Sequence, residues 1–464
     1  MPRMRDNPRF LKYDLDQKLL LPESLNDWLP PEHLARFIVS VMDELDLSEI
    51  EDAYRDVGAV MYHPRMMTAL WMYGYSVGIR SSRRIERATH TDVGFRYVAG
   101  NQQPDHSALA AFRSAHIEAL DRLFEQVLQL CVEDGLVTLE HVATDGSKLK
   151  ANASKHSAMS HGKMVEKEAK LERELKEEAE LMVKKKELSE EERQAIRESV
   201  RRYFEDVARN DAEEDEKYGK DGDGWRLPEG WRTKAEQRQR IRKWREKLEE
   251  RERKKAEEKG EEFKGVDAKA QINFTDPESR IMKDNATKEF VQAFNVQASV
   301  DEANQIIVAR GVTQQANDVK QLEPMMEQVI ENIGAVPEKG TGDAGYYSEA
   351  NAKAMEELEI DAYLATGRQK HGEVPPPAPR GRIPSDLGVK ERMERKLRTK
   401  AGKKAYSRRK CTVEPVFGQI KEARGIRGFL LRGLRKVTGE WSLITMTHNL
   451  LKIWRSRVAG ARAG

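Results

Sequence analysis

Apolar residues recur along this chain with two different periods. From residue 31 to 133 they return every three or four positions, the period of a helix with one buried face. Pro31-Glu32-His33 opens a first helix, with Leu34, Phe37, Ile38, Val41 and Met42 as its stripe. A second helix runs through residues 66–78. A third starts at Asp105, a residue type that caps helix N-termini, and continues to Cys131. The Arg-rich stretch 81–92 reads as a short basic connection. None of these helices carries a sharp helix-turn-helix signature, so a plain helical bundle and a DNA-binding domain both fit residues 1–135.

Further on the period falls to two. Residues 137–150 read as a strand ending at Asp145, with Gly146 as the turning point. Phe294, Val296, Ala298 and Val300 alternate with Asn295, Gln297 and Ser299, which predicts a half-buried strand with residues 304–313 as its hairpin partner. A helix follows, capped at Asn317-Asp318 and striped by Leu322, Met325, Met326, Val329 and Ile330. Then come a short strand into Asp343, a helix from Ser348, and a strand within 360–367. Residues 370–404 are Pro-rich and then basic, and read as an exposed loop. The chain ends in helix from about Tyr406, with Trp441, Ile444, His448, Leu451 and Trp454 on its buried face. Three antiparallel strands followed by parallel strands and packed helices resemble an RNase H-like α/β core.

Between the first and second of these strands the composition changes. Residues 155–265 are dominated by Lys, Glu and Arg. Ser189 with Glu192 makes a capping box, and Ile196, Val200, Tyr203, Phe204 and Val207 recur at helical spacing. A Gly-rich loop with Trp225 and Trp231 leads into a second charged helix, about 229–259. The pattern predicts an inserted helical arm, with disorder as the alternative. The expected division is therefore a helical N-terminal domain (1–135), an α/β core (136–154 and 266–464) and a charged helical insertion (155–265).

Charge sharpens this outline. The net charge is only +2, yet 23 Lys or Arg and 6 Asp or Glu stand between residues 380 and 464. A basic block of this kind is a phosphate footprint. Cys131 and Cys411 are the only cysteines and lie far apart, which disfavours a disulfide framework or a zinc site. No apolar run reaches membrane-spanning length and no apolar leader opens the chain, so a cytoplasmic protein with no membrane partner is expected.

Three acids stand out. Asp145 and Asp343 end strand-like runs, and Glu414 is an isolated acid amid Arg408, Arg409, Lys410 and Lys421. Three hard oxygen ligands brought together by the fold could hold two Mg²⁺ ions (or Mn²⁺) about 4 Å apart, a site suited to phosphodiester chemistry. The segment from Tyr406 to Lys421 resembles the Y-x-x-R-x-x-x-E-x-x-x-x-x-x-K motif of bacterial insertion-sequence transposases with a DDE core. The phrases ATDGSKLKANAS, TGDAGYYS, VEPVFGQIKE and EWSLITMTHNLLK resemble the same family. Four residues, not three, separate Arg409 from Glu414, so either Arg409 or Lys410 fills the basic slot. The resemblance implies Asp145, Asp343 and Glu414 as catalytic and metal-binding residues, with Tyr406, Arg409, Lys410 and Lys421 on DNA. It also implies a homodimer acting on double-stranded DNA. A non-enzymatic DNA-binding protein or an inactive transposase copy is the competing reading.

Overall fold

The computed structural model describes residues 24–54, 61–184, 229–284, 288–367 and 387–463, with a few further positions within 189–201 and 377–384. The expected stripe from Ile196 to Val207, Trp225 and most of the Pro-rich segment lie outside the described residues.

The N-terminal region folds as helices α1 (Leu34–Val41), α2 (Ser48–Asp52), α3 (Pro64–Ser76), α4 (Ser82–Thr91), α5 (Val93–Val98), α6 (His106–Ala115) and α7 (Ile117–Glu133). The caps follow the sequence: the His33 ring accepts a bond from the Ala35 N–H at 3.1 Å, and Asp105 accepts from Ser107 and Ala108. Two expectations need correction. Residues 81–92 are helix α4 rather than a connection, because Ile85, Ala88 and Thr89 turn inward among the arginines. The long third helix is two helices, interrupted at His116, whose ring meets the Tyr54 hydroxyl at 3.0 Å.

The chain then enters strand β1 (Val142–Lys150) and leaves it through β2 (Ala158–Ser160) into the arm, helices α8 (His161–Lys184) and α9 (Glu229–Glu258). It returns by β3 (Gln271–Asn273), which pairs antiparallel with β2. The arm has its own small core of Met164, Leu171, Ile241, Leu248 and Ile272. Its helices are laced by ion pairs such as Arg238–Glu172 and Arg245–Glu168, both at 2.9 Å. His161 opens α8 and meets Glu249 at 2.9 Å.

After the arm come β4 (Arg280–Lys283), β5 (Phe290–Asp301), β6 (Ile307–Thr313), α10 (Leu322–Ile333), β7 (Lys339–Gly342), α11 (Glu349–Glu357) and β8 (Asp361–Leu364). Strand β5 is antiparallel to β1 on one side and to β4 and β6 on the other. Strand β1 runs parallel to β7, and β7 parallel to β8. The strand order is therefore β6–β5–β1–β7–β8, with β4 sharing the β6 edge of β5. Strand β1 does not stop at Asp145. It continues through Gly146 to Lys150, because every residue from Val142 to Lys150 has a partner on β5. Strand β5 is buried on both faces from Ala293 to Asp301, not half-buried as its alternation suggests.

The C-terminal part comprises α12 (Val389–Arg398), α13 (Lys400–Thr412), α14 (Glu414–Gly418), a π-helical turn (Gln419–Ala423) and α15 (Leu434–Ala463). Residues 389–404, expected as exposed loop, are thus helical; Met393 and Ala405 supply the buried contacts that hold them down. Helix α15 lies against the sheet and α7: the Trp441 indole N–H donates to the Gln297 carbonyl at 3.1 Å. One continuous apolar core runs from Leu29 in the N-terminal region to Ile453 in α15.

Candidate active site

Asp145 sits in mid-strand on β1, opposite Ala298 of β5. On its other side β7 pairs with β1 only as far as Ala143 and Thr341. Continuing that parallel register by two residues brings Asp343, the first residue past β7, level with Asp145. Asp343 is half-buried, and its Oδ1 accepts the Gly345 N–H at 2.7 Å, which fixes the turn after the strand. Glu414 begins α14 and is about half exposed.

Arg409 joins these elements. It is a buried residue on α13 whose guanidinium lies 3.0 Å from Asp145 Oδ2 and 3.5 Å from Glu414 Oε1. Burial opposes its charge, but Asp145, Tyr406, Asp343 and Glu414 outweigh that and hold its pKa above the ordinary arginine value. Arg409 is thus the base that meets these acids; Lys410, next along α13, is exposed. Tyr406, one turn earlier, places its ring under the Arg409 guanidinium, 5.9 Å away.

Lys421 belongs to the π-helical turn that follows α14. Its ammonium donates to the Ser147 hydroxyl and to the Lys148 carbonyl at 3.3 Å, two and three residues beyond Asp145. Burial holds its pKa below the ordinary lysine value.

A fourth acid is present that the pattern does not reveal. Asp318 does not cap α10 as its place before the helix suggests; Gln321 occupies the N-cap. The Asp318 carboxylate instead turns to the sheet. It accepts from Asn295 Nδ2 at 2.6 Å and Gln297 Nε2 at 2.8 Å, and Lys148 stands 3.6 Å away. Gly146 makes room for it, since a Cβ there would meet Asp318 Oδ1 at 2.7 Å and Gln297 Nε2 at 2.5 Å. Tyr346, fully buried, donates to the other end of the Gln297 amide. The sequence signals only that this face of β5 is covered, without saying by what. From Gln292 to Ser299 the polar positions of β5 are amides and a hydroxyl, not the Lys and Glu of a solvent-facing strand, which marks a face that meets protein.

Burial raises the Asp145 carboxyl to about 6; Arg409 and the Gly146 N–H pull it down, while Asp343 and Asp318 push it up. At Asp145, burial together with Asp343 and Asp318 thus outweighs the arginine. The donors are hard carboxylate oxygens, the chemistry a small divalent cation takes. Among the described residues, no group of three or more His, Cys, Asp or Glu is arranged as a ready metal cage. Arg409 lies between Asp145 and Glu414, holding them as a cation would.

Two families share parts of this chain. Residues 23–115 match a transposase domain family (DUF772), and residues 384–454 match a transposase DDE domain. Together the two matches support an insertion-sequence DDE transposase. The first covers most of the N-terminal helices; the second contains Tyr406, Arg409, Glu414 and Lys421. No curated protein and no solved structure gives a significant match. No helix among the described residues is long and apolar enough to cross a membrane.

Proposed function

We propose that this chain binds the terminal inverted repeats of an insertion sequence and catalyses metal-dependent DNA cleavage and strand transfer. Asp145, Asp343 and Glu414 are its catalytic acids. The observation that carries the reading is the Arg409 bridge: acids distant in sequence, on β1 and α14, meet one guanidinium, and the register of β7 adds Asp343. The strand order, three antiparallel strands continued by two parallel ones, supports an RNase H-like core. Residues 1–135 form the proposed DNA-binding domain and 155–265 an insertion into the core.

Asp145, Asp343 and Glu414 would hold Mg²⁺ or Mn²⁺, two ions being expected. Bound there, the ions would activate a water or 3′-hydroxyl and steady the leaving oxygen of an in-line displacement. The chain's own groups do the remainder. Arg409, released from Asp145 and Glu414, offers two N–H donors to a phosphate. Lys421 adds a point charge beside Ser147, Tyr406 a stacking or hydrogen-bonding surface, and exposed Lys410 a contact further along the backbone. The partners are transposon-end and target DNA, with a homodimer in the synaptic complex, acting in the cytoplasm beside the nucleoid.

The test is cleavage and joining of DNA that carries the element's own ends, with Mg²⁺, by wild type and Glu414→Gln. Gln keeps the size of the side chain and removes its charge. Wild type should cut and join; the variant should bind with similar affinity and lose at least about 100-fold in rate. Binding by both proteins with cleavage by neither would instead favour a non-enzymatic DNA-binding protein or an inactive copy.

A further inference from the structure

The root of the arm carries a second feature. Past Lys150, the end of β1, a cavity of about 560 Å³ opens between residues 151–157 and 428–432. A second, of about 260 Å³, lies against the arm itself. Ser157 and Thr275 line both, so the two form one groove running from the sheet onto α8 and α9. Lys150 is five residues beyond Asp145 on the same strand, about 17 Å along it. Lys421, bonded to Ser147, lies between them.

The charge of this groove is one-sided. Lys150 and Arg432 line its first part, Lys167 and Arg240 its second, and no carboxylate lines either part. The chain as a whole is almost balanced, with 81 bases and 79 acids. The arm is more balanced still: Lys234, Arg238, Arg242 and Arg245 on α9 are each ion-paired. Arg240 lies in the midst of that series, exposed, and forms no ion pair among the described residues; nor do Lys150, Lys167 and Arg432. The remaining lining is hydroxyl, amide and apolar, with Asn152 and Ser154 beside Lys150. Bases with no acid beside them in the groove, interspersed with hydroxyls and amides, suit a chain of phosphates.

We propose that the groove at the root of the arm binds one sugar-phosphate strand of the DNA, on the side of the carboxylate site toward Lys150. The inference rests on the DNA-cutting reading. It assigns the arm a task, gripping the DNA flank that leaves the cutting site.

The experiment compares wild type with a Lys150→Gln, Lys167→Gln, Arg240→Gln variant. All three residues are exposed, so folding should be unaffected. Lys254→Gln, on the same helix but away from the groove, is the control. Binding of fluorescein-labelled duplex carrying the element's own ends is followed by anisotropy across a salt series, beside a single strand of equal length. The triple variant should bind the duplex more weakly, with a salt slope shallower by about 0.9 for each phosphate that is no longer neutralised. The control should match wild type. If wild type binds and cuts while the triple variant keeps the same affinity and slope, the groove proposal is overturned and the cutting reading stands. A slope change confined to the single strand also overturns it. If wild type binds no DNA at all, both fall.

Discussion

Asp145 is a carboxylate whose surroundings resist its charge. Its folded pKa, about 6, exceeds the ordinary 3.8. The folded state therefore holds a proton that the unfolded chain has already released over that interval. Stability from this group is present below pH 3.8 and is lost as pH rises through about 6. Asp145→Asn should accordingly melt higher than wild type at pH 7, by an amount equivalent to roughly 3 kcal/mol, and the two should converge near pH 4 in thermal denaturation without added metal. Equal melting temperatures at both pH values would mean that Arg409 already neutralises the site. At this scale the sequence singles out Asp145, Asp343, Glu414 and Arg409 by their unusual local context, and the structure sets Asp145 and Glu414 against Arg409; their catalytic role is the proposal made above. Asp318 was not legible. A carboxylate before a helix looks like a cap, and only the sheet shows that Asn295 and Gln297 claim it first.

At the scale of elements, the sequence was clearest where one period ran long. Helices α1 and α3 and strand β5 are where the pattern put them. It failed where a short apolar stripe was submerged in charge. Helix α4 keeps only Ile85, Ala88 and Thr89 buried, and α12 only Met393, so both read as basic loops. The end of β1 was misplaced for another reason. Gly146 looks like a turn, but it is glycine to admit the Asp318 carboxylate beside the strand. The arm is held by few apolar residues, among which Leu248 and Met164 are fully buried. Leu248→Ala should destabilise the arm by about 2–5 kcal/mol, read as faster amide exchange over residues 161–184 and 229–258. Exchange in β1 and β5 should not change; a global loss of protection would mean that the arm and the sheet unfold as one unit.

On the scale of the whole molecule, the expected outline of N-terminal helices, α/β sheet and inserted arm was legible, but the continuity of the first two was not. Periodicity says which face of an element is buried and not what buries it. Gly439 of α15 lies so close to α7 that a Cβ there would meet Ile117 Cγ1 at 2.5 Å, and the apolar core passes through that contact without a break. The arm stands in contrast. Ser160 and Gln271, its points of departure and return, are directly paired across β2 and β3. To the rest of the chain, everything between them is a detour that begins and ends in one place. The same two residues could be joined by an Asn-Gly turn, which fits a two-residue hairpin. A protein shortened in this way should still fold, with near-native β-sheet signal by circular dichroism and a single melting transition. The detour would then be a modular appendage, free to lengthen, shrink or be exchanged without redesign of the sheet that carries it.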